Sequence, residues 1–433
     1  MSLIRLLPKT PPPGPFRPGA WRSPLRGRWL TSVFATVLLV GIPFVAITGF
    51  LSYAAYNPRL GSNDLTPNKG LLGFYLFDWP TEPVWLYLVN QGIHVIAGLV
   101  LTPVLLAKLW SVLPKLFTWP PVTSPAQALE RLSLLALVGG AVFQFVTGIM
   151  NIAYWYAFPF SFYAAHLYGA WVFTAGFAVH IAIKLPTMRR ARRTRRLVDE
   201  LRAPLEQTRQ EERFEGDDEL VAAEPREPTL SRRGLLGLVA GGSATIFVLT
   251  AGQTIGGEFT RRLALLAPRG RIYGDGPNDF QVNKPARSVG VTPEMVGPSY
   301  RLELVRGADG PVVSSLSREE LLGLPQHTYD LPIACVEGWS TTQTWTGVRL
   351  RDLAMMAGVP PQSIMTALSL EGATLFGLTT FSADQVAAKK SLLALRVNDA
   401  DLSLDHGFPA RIIVPAAPGV HCTKWVSRMT FEA

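Results

Sequence analysis

The sequence predicts a multidomain protein in which an all-α transmembrane helical bundle of five spans is followed by an α+β domain. Three observations predict it. Apolar stretches near 30–54, 84–109, 129–155, 162–187 and 235–254 each reach the roughly 20 residues that a bilayer-crossing helix needs. Composition then shifts: the chain is 48% hydrophobic and only 17% charged, yet from about residue 258 it reads like an ordinary globular domain. In that last part, short strands mix with short amphipathic helices and no regular βαβ repeat appears.

At 433 residues the chain exceeds one typical domain. The expected organisation starts with residues 1–28 as a disordered cytoplasmic tail, because TPPPGPFRP is Pro-rich. Residues 29–187 form a four-helix membrane domain, and 188–230, charged and poor in aromatics, a solvated cytoplasmic linker. Residues 231–257 hold the fifth span, and 258–433 the globular domain. The net charge of +9 sits beside apolar segments, most densely in MRRARRTRR, as topology signals do. A nucleic-acid partner is therefore not expected. Two cysteines, Cys335 and Cys422, leave no room for a disulfide framework.

Flanking charge orients the spans. Arg17, Arg22, Arg26 and Arg28 precede the first, Lys108, Lys115 and Arg131 lie between the second and third, and the Arg run follows the fourth. The loops at 55–83 and 156–161 are poor in Lys and Arg. The positive-inside rule then places the N-terminus in the cytoplasm and the region after span five outside, in a multi-pass plasma-membrane protein. Span five opens with TLSRRGLLGLVAGG, whose Ser-Arg-Arg resembles a twin-arginine export signal. Two more cytoplasmic arginines at a helix end is the competing reading, and the sequence does not separate them. No small-residue cleavage site stands out beyond Ala251, so the span reads as a retained anchor.

Spans one to four contain a weak repeat. ITGFLSYAAY is echoed by VTGIMNIAYWY, aligning Thr48-Gly49 with Thr147-Gly148. HVIAGLVLTPVLLAK is echoed by HLYGAWVFTAGFAVH, aligning His94 with His166 and Thr102 with Thr174. An ionisable residue inside a span is a functional candidate. His166 and His180, on one span, lie ~21 Å apart along the axis and within roughly 40° of each other around it. This half resembles the di-haem membrane cytochromes b. The resemblance implies a haem b between His94 and His166 near the outer face, with Gly98, Gly148 and Gly169 admitting the porphyrin. A second haem, on His180, stays open, because the aligned partner position holds Lys108, read as an interfacial lysine snorkelling to headgroups. Histidines bonded to helix carbonyls without haem are the alternative.

In the last part, YRLELVRG, DLPIACVEGW, LLALRVND, ARIIVPA and WVSRMTFEA read as strands. SREELLGL and RLRDLAMMAG read as helices, the first capped by Ser317 ahead of Glu320. Cys335, in an apolar run with Trp339 four residues on, has the layout of a soft thiolate ligand held against a planar cofactor. A buried structural cysteine is the bland alternative.

Two stretches, PIACVEGWSTTQTWTGVRLRDL and DHGFPARIIVPAAPGVHCTKWVSRMTF, resemble the molybdopterin domain of the sulfite oxidase fold over roughly 275–433. They look closest to the bacterial periplasmic branch that includes the methionine sulfoxide reductase catalytic subunit. The resemblance implies that Cys335 ligates molybdenum and is the catalytic residue. It places His406, Arg411 and Asn283 at the pterin, and Cys422, Thr423 and Lys424 at its phosphate end. Physically, an anionic phosphate wants a guanidinium, an ammonium and backbone N–H groups. Two departures are visible. The family's immunoglobulin-like dimerisation domain has no counterpart before Ala433, and no arginine cluster of the kind a sulfite pocket needs stands near Cys335. Glu337, Trp339 and Trp345 read as walls for a neutral substrate, or, for the tryptophans, as core.

The two resemblances imply one device: two-electron oxygen-atom transfer at molybdenum-molybdopterin outside the membrane, with haem relaying electrons from the quinone pool to an S-oxide or N-oxide such as methionine sulfoxide. A sulfite-type oxidase running in reverse and a non-enzymatic membrane redox sensor are the alternatives.

Overall fold

A computed structural model describes residues 10–66, 75–122, 124–213, 220–267, 273–374 and 376–432. The first nine residues of the expected tail and residues 214–219 of the expected linker lie outside the described residues.

The five apolar stretches are helical: α1 (Arg28–Ala55), α2 (Leu86–Leu116), α3 (Pro125–Ile152), α4 (Phe162–Thr194) and, after the short α5 (Leu197–Arg202), α6 (Arg232–Thr250). Helices α7 (Gly252–Ile255) and α8 (Glu258–Leu263) follow. Among the described residues, five helices are long and apolar enough to cross a membrane. Helix α3 starts where the sequence says it must, with Pro125 in its first turn and the Ser124 hydroxyl accepting from Gln127 N at 3.2 Å.

The chain divides into two compact units, one of residues 1–46 and 96–248, the other of 47–95 and 249–433. The division cuts α1 and α2 themselves. Sequence reasoning divides the chain after residues 28, 187, 230 and 257; in the structure the loop joining α1 to α2 belongs to the second unit.

In the first unit, Trp29, Leu30, Phe34, Leu38 and Ile42 of α1 pack with Leu101 and Leu105 of α2 and Phe173 of α4. Part of the stretch expected as solvated linker is tied down here. The Glu211 carboxylate accepts from Trp29 N at 2.9 Å and Leu30 N at 3.3 Å, at the N-terminus of α1, where the helix dipole favours an anion. Arg232, from the Ser-Arg-Arg motif, is buried and donates to Arg209 O at 2.6 Å and to Glu200 at 3.3 Å. Lys108 does not snorkel outward as expected. Its ammonium turns into the unit and donates to Thr31 O at 3.3 Å, since an amine on an apolar helix takes the nearest carbonyl.

In the second unit the strands are β1 (Leu302–Arg306), β2 (Val312–Leu316), β3 (His327–Ala334), β4 (Ser340–Arg349), β5 (Ile364–Ser369), β6 (Leu378–Phe381), β7 (Leu392–Val397), β8 (Ala400–Asp401), β9 (Arg411–Ile413) and β10 (Val426–Glu432). One sheet runs β2-β1-β10-β5-β6, with β1 and β10 parallel; the other runs β3-β4-β7-β8, with β9 on β7. Apolar residues alternate along β5, and Met365 and Ala367 join Leu302, Leu304, Leu393, Leu395, Met429 and Phe431 in the main core. The expected helix over SREELLGL forms as α9 (Arg318–Gly323), with both halves of its Ser317–Glu320 capping box made, and the next as α10 (Leu350–Met356).

The α1–α2 loop is built into these strands. The Asn63 amide donates to Thr380 O at 2.6 Å and accepts from Thr380 N at 3.0 Å, as a neighbouring strand would. Trp79 Nε1 donates to Ala416 O at 2.7 Å, and Ala416 N to Val84 O at 3.2 Å.

Candidate functional site

Cys335 directly follows β3 and opens a tight turn into β4. Cys335 N donates to Trp339 O at 2.9 Å and Gly338 N to Cys335 O at 3.0 Å, which requires the left-handed φ of +94° that Gly338 supplies. The buried Cys335 Sγ lies 3.1 Å from Glu337 Oε2, which also accepts from Trp339 Nε1 at 3.0 Å. Asn283 Nδ2 approaches the sulfur to 3.7 Å. Burial first, and then the Glu337 charge, push this thiol well above its ordinary range. A thiol in that setting ionises only opposite a cation, as a metal ion would provide.

Next to Asn283 the chain turns to a second cluster. Lys424 Nζ donates to Lys284 O at 2.9 Å and to Asp405 O at 2.7 Å. Arg411, at the start of β9, donates to His406 O at 3.2 Å and holds its guanidinium 5.5 Å from the centre of the Trp345 ring. Gly407, at φ +108°, makes this approach feasible, because a Cβ there would meet both Lys424 Cβ at 3.1 Å and Arg411 Cβ at 3.2 Å. His406 stacks on Phe280 at 3.7 Å between ring centres and places Nε2 2.9 Å from Asn278 O. Burial, then Arg411 and Lys424, bring His406 down to about 3, so its imidazole is neutral and Nε2–H is the donor. Thr423 is buried and its hydroxyl donates to Thr379 Oγ1 at 3.1 Å. Burial raises the Cys422 thiol, and among the described residues no three His, Cys, Asp or Glu side chains gather to hold a metal. Among the described residues, neither buried thiol, Cys335 nor Cys422, is part of a protein-built metal cluster.

The sequence comparisons bear directly on this arrangement. The oxidoreductase molybdopterin binding domain family matches residues 289–433. The C-terminal part is a sulfite-oxidase-like molybdopterin domain. Mitochondrial sulfite oxidase of Rattus norvegicus is 30% identical over 167 residues, which are 33% of this chain and 30% of that one. The uncharacterized oxidoreductase YuiH of Bacillus subtilis (strain 168) is 33% identical over 134 residues, 30% of this chain and 65% of that one. The crystal structure of the sulfane dehydrogenase SoxCD from Paracoccus pantotrophus aligns at 25% identity and a TM-score of 0.28, covering 31% of this chain and 38% of that one. The chain therefore spans less than a third of the rat relative's length.

The residues of the molybdopterin domain fit its cofactor. Arg411 Nε is buried without a hydrogen-bond partner, and burial brings the guanidinium down to about 10. Burial also holds Lys424 well below its usual value, with Arg411 adding to it. No carboxylate lies within ion-pair distance of either among the described residues, whereas nearby Lys284 pairs with Glu371 at 2.6 Å. Buried charges are paired as a rule, so the buried Arg411 guanidinium with its unbonded Nε calls for an anion the protein does not supply, and a pterin phosphate is one; the half-buried Lys424, held by two carbonyls, adds a second positive charge.

The sequence-expected residues thus gather through the Asn283–Lys284 segment, which meets Cys335 at one end and Lys424 at the other. Trp345 departs from the expected pocket wall: it is fully buried, with Nε1 donating to Leu331 O at 3.1 Å, and serves as core beneath Arg411. Two residues escaped sequence reasoning. His421 is buried, with neither ring nitrogen bonded and its ring edge-on to Tyr56 at 5.7 Å and Phe381 at 6.2 Å. Gln91 donates to Val336 O, beside Cys335, at 2.7 Å. A glutamine inside an apolar stretch, three residues before His94, was the signal for the latter.

The histidines of the apolar helices show a repeated setting. Thr48 Oγ1 lies 3.4 Å from His94 Nδ1, and a Cβ on Gly49 would stand 2.9 Å from His94 Cε1. Thr147 Oγ1 lies 3.0 Å from His166 Nδ1, and a Cβ on Gly148 would stand 3.6 Å from His166 Cε1. Each Thr-Gly pair of the sequence repeat thus meets the aligned histidine. His180, on α4, has no comparable threonine contact among the described residues.

Proposed function

We propose that this chain is a membrane-anchored molybdopterin-dependent oxidoreductase that reduces an S-oxide or N-oxide, such as methionine sulfoxide, with electrons drawn from the quinone pool through membrane haem b. The observation that carries the reading is the buried Arg411, which has no carboxylate partner, together with the half-buried Lys424, in the same domain as the buried thiol of Cys335. When bound, the molybdenum cofactor supplies two-electron oxygen-atom transfer. Cys335 provides a thiolate to the metal, Asn283 orients that sulfur, and Arg411, Lys424 and the Cys422–Thr423 backbone hold the phosphate end. His406, fixed by Phe280 and Asn278, packs neutral against the pterin.

Glu337 shapes substrate choice. Its carboxylate, 3.1 Å from the sulfur, repels a dianion and favours a neutral S=O or N–O group. Five helices of sufficient length and the charge of their flanks favour a multi-pass plasma-membrane protein, with the N-terminus cytoplasmic and the molybdopterin domain extracytoplasmic. The threonine contacts at His94 and His166 favour these two as haem ligands, since a ligating imidazole is normally oriented through its other nitrogen. His180, lacking such a contact, favours a single haem.

A second reading, sulfite oxidation with electrons passed inward, draws on the likeness to the rat enzyme named sulfite oxidase. Detergent-purified protein assayed for molybdenum and haem, then offered methionine sulfoxide, trimethylamine N-oxide and sulfite, tests both. The proposal expects both metals and turnover of an oxide; sulfite turnover alone would give the second reading, and metal-free purified protein would sink each of them.

A further inference from the structure

One turn of α2 carries three residues that matter together. Gln91 is buried and donates to Val336 O at 2.7 Å, while Val95, on the same face four residues later, packs beneath Gly338, where a Cβ would stand 2.6 Å from Val95 Cγ1. His94 lies between them. The turn holding Cys335 is therefore seated directly on the helical turn holding His94. A third element locks the seat. Thr254, just after α6, donates to Gly338 O and accepts from Ser340 Oγ at 2.7 Å. It reaches in because position 92 is glycine, where a Cβ would stand 2.6 Å from Thr254 Cγ2. Both Val336 O and Gly338 O, in the turn that follows Cys335, are thus bonded by side chains from outside the strands, one from α2 and one from the segment after α6.

We infer that this seat is the electron path of the protein, with Gln91 the residue that bridges the His94 turn to the Cys335 loop. The inference rests on the haem and molybdenum assigned under the proposed function. A haem held at His94 would supply electrons one at a time, and Gln91, the Val336 carbonyl and Cys335 would be the residues that carry each of them toward a molybdenum cofactor held at Cys335. Two such electrons and two protons from solvent balance the removal of one oxygen atom from an S-oxide as water. Quinol supplies the electrons that restore the haem.

The test uses full-length holoprotein carrying Gln91→Met, which keeps the volume and removes the donor, or Gln91→Asn, which keeps the amide and shortens its reach. Dithionite-reduced protein is mixed with methionine sulfoxide and oxidised protein with sulfite, and the haem band is followed. The expected result is a haem response roughly tenfold slower in both variants, with molybdenum content, haem spectrum and dye-linked turnover of the oxide unchanged. In cofactor-free protein, Cys335 should resist alkylation as in the parent chain. A haem response at the parental rate overturns the relay, and so does faster alkylation or loss of molybdenum in both variants, either of which makes Gln91 only a prop for the loop. If the haem of the unaltered protein answers neither substrate, the proposed function and the relay fall together.

Discussion

Thr147 Oγ1 approaches His166 Nδ1 to 3.0 Å, and the aligned Thr48 approaches His94 Nδ1 to 3.4 Å. A sequence repeat that looked weak has conserved its geometry: small residue, hydroxyl and imidazole meet in both hairpins. Thr147→Val and Thr48→Val should each weaken haem retention about 10–100-fold while molybdenum content holds, read from the ratio of the haem band to protein. His94→Ala and His166→Ala should remove haem, and His180→Ala should leave the haem-to-protein ratio as it was. A ratio near two haems per chain in the parent protein would refute the single-haem count.

Cys335→Ser should abolish oxide turnover without altering the haem spectrum. A hydroxyl is too hard and too weakly acidic to replace a thiolate on the metal, and the histidines on the helices do not depend on it. Retained turnover would remove Cys335 from the metal.

Arg411→Met should act in opposite directions on the two forms of the protein. With cofactor, loss of the guanidinium leaves phosphate charge uncompensated and costs about 3–5 kcal/mol of binding, so the purified variant should carry little molybdenum. Without cofactor, the variant should melt higher than the parent, because a buried cation with an unbonded Nε is gone. Metal analysis and thermal melts of both forms check this, and full molybdenum loading would count against the phosphate assignment.

His421 should make the second unit acid-sensitive. Burial brings it from 6.5 down to about 4, so between these values the unfolded chain binds a proton that the folded chain does not. Stability is then full above pH 6.5 and falls as the pH drops toward about 4. His421→Phe, filling the same space against Tyr56 and Phe381, should flatten the melting temperature between pH 6.5 and 4.5 relative to the parent. Identical slopes for the two proteins would show that His421 is not the group responsible.

Protease added to intact spheroplasts should cut the domain after Glu258, and the Arg189–Arg196 run should be cut only after lysis. Loop charge sets this expectation, and the reverse pattern would invert the topology.

The helices and the strands that carry the second core were legible because hydrophobic period and length speak for themselves: LELVR, LLALRV and VSRMTFE are apolar at the positions that end up buried. Strand β4 was not. STTQTWTGVR is rich in Thr and Gln, and its place between β3 and β7 comes from partners far away in the chain. The site divided in the same way. Cys335, Arg411 and Lys424 stand in motifs, whereas Gln91 and Thr254 gain meaning only through long-range contacts with Val336 and Gly338. Lys108 misled because local sequence reports exposure to lipid or water and says nothing of a carbonyl on another helix.

The bond between Asn63 and Thr380 joins residues 317 positions apart, so this part of the second unit cannot close until the chain has been made as far as Thr380. A gene segment beginning at Glu258 would look like a self-sufficient enzyme yet leave the carbonyls of Val336, Thr380 and Ala416 without the donors that Gln91, Asn63 and Trp79 provide.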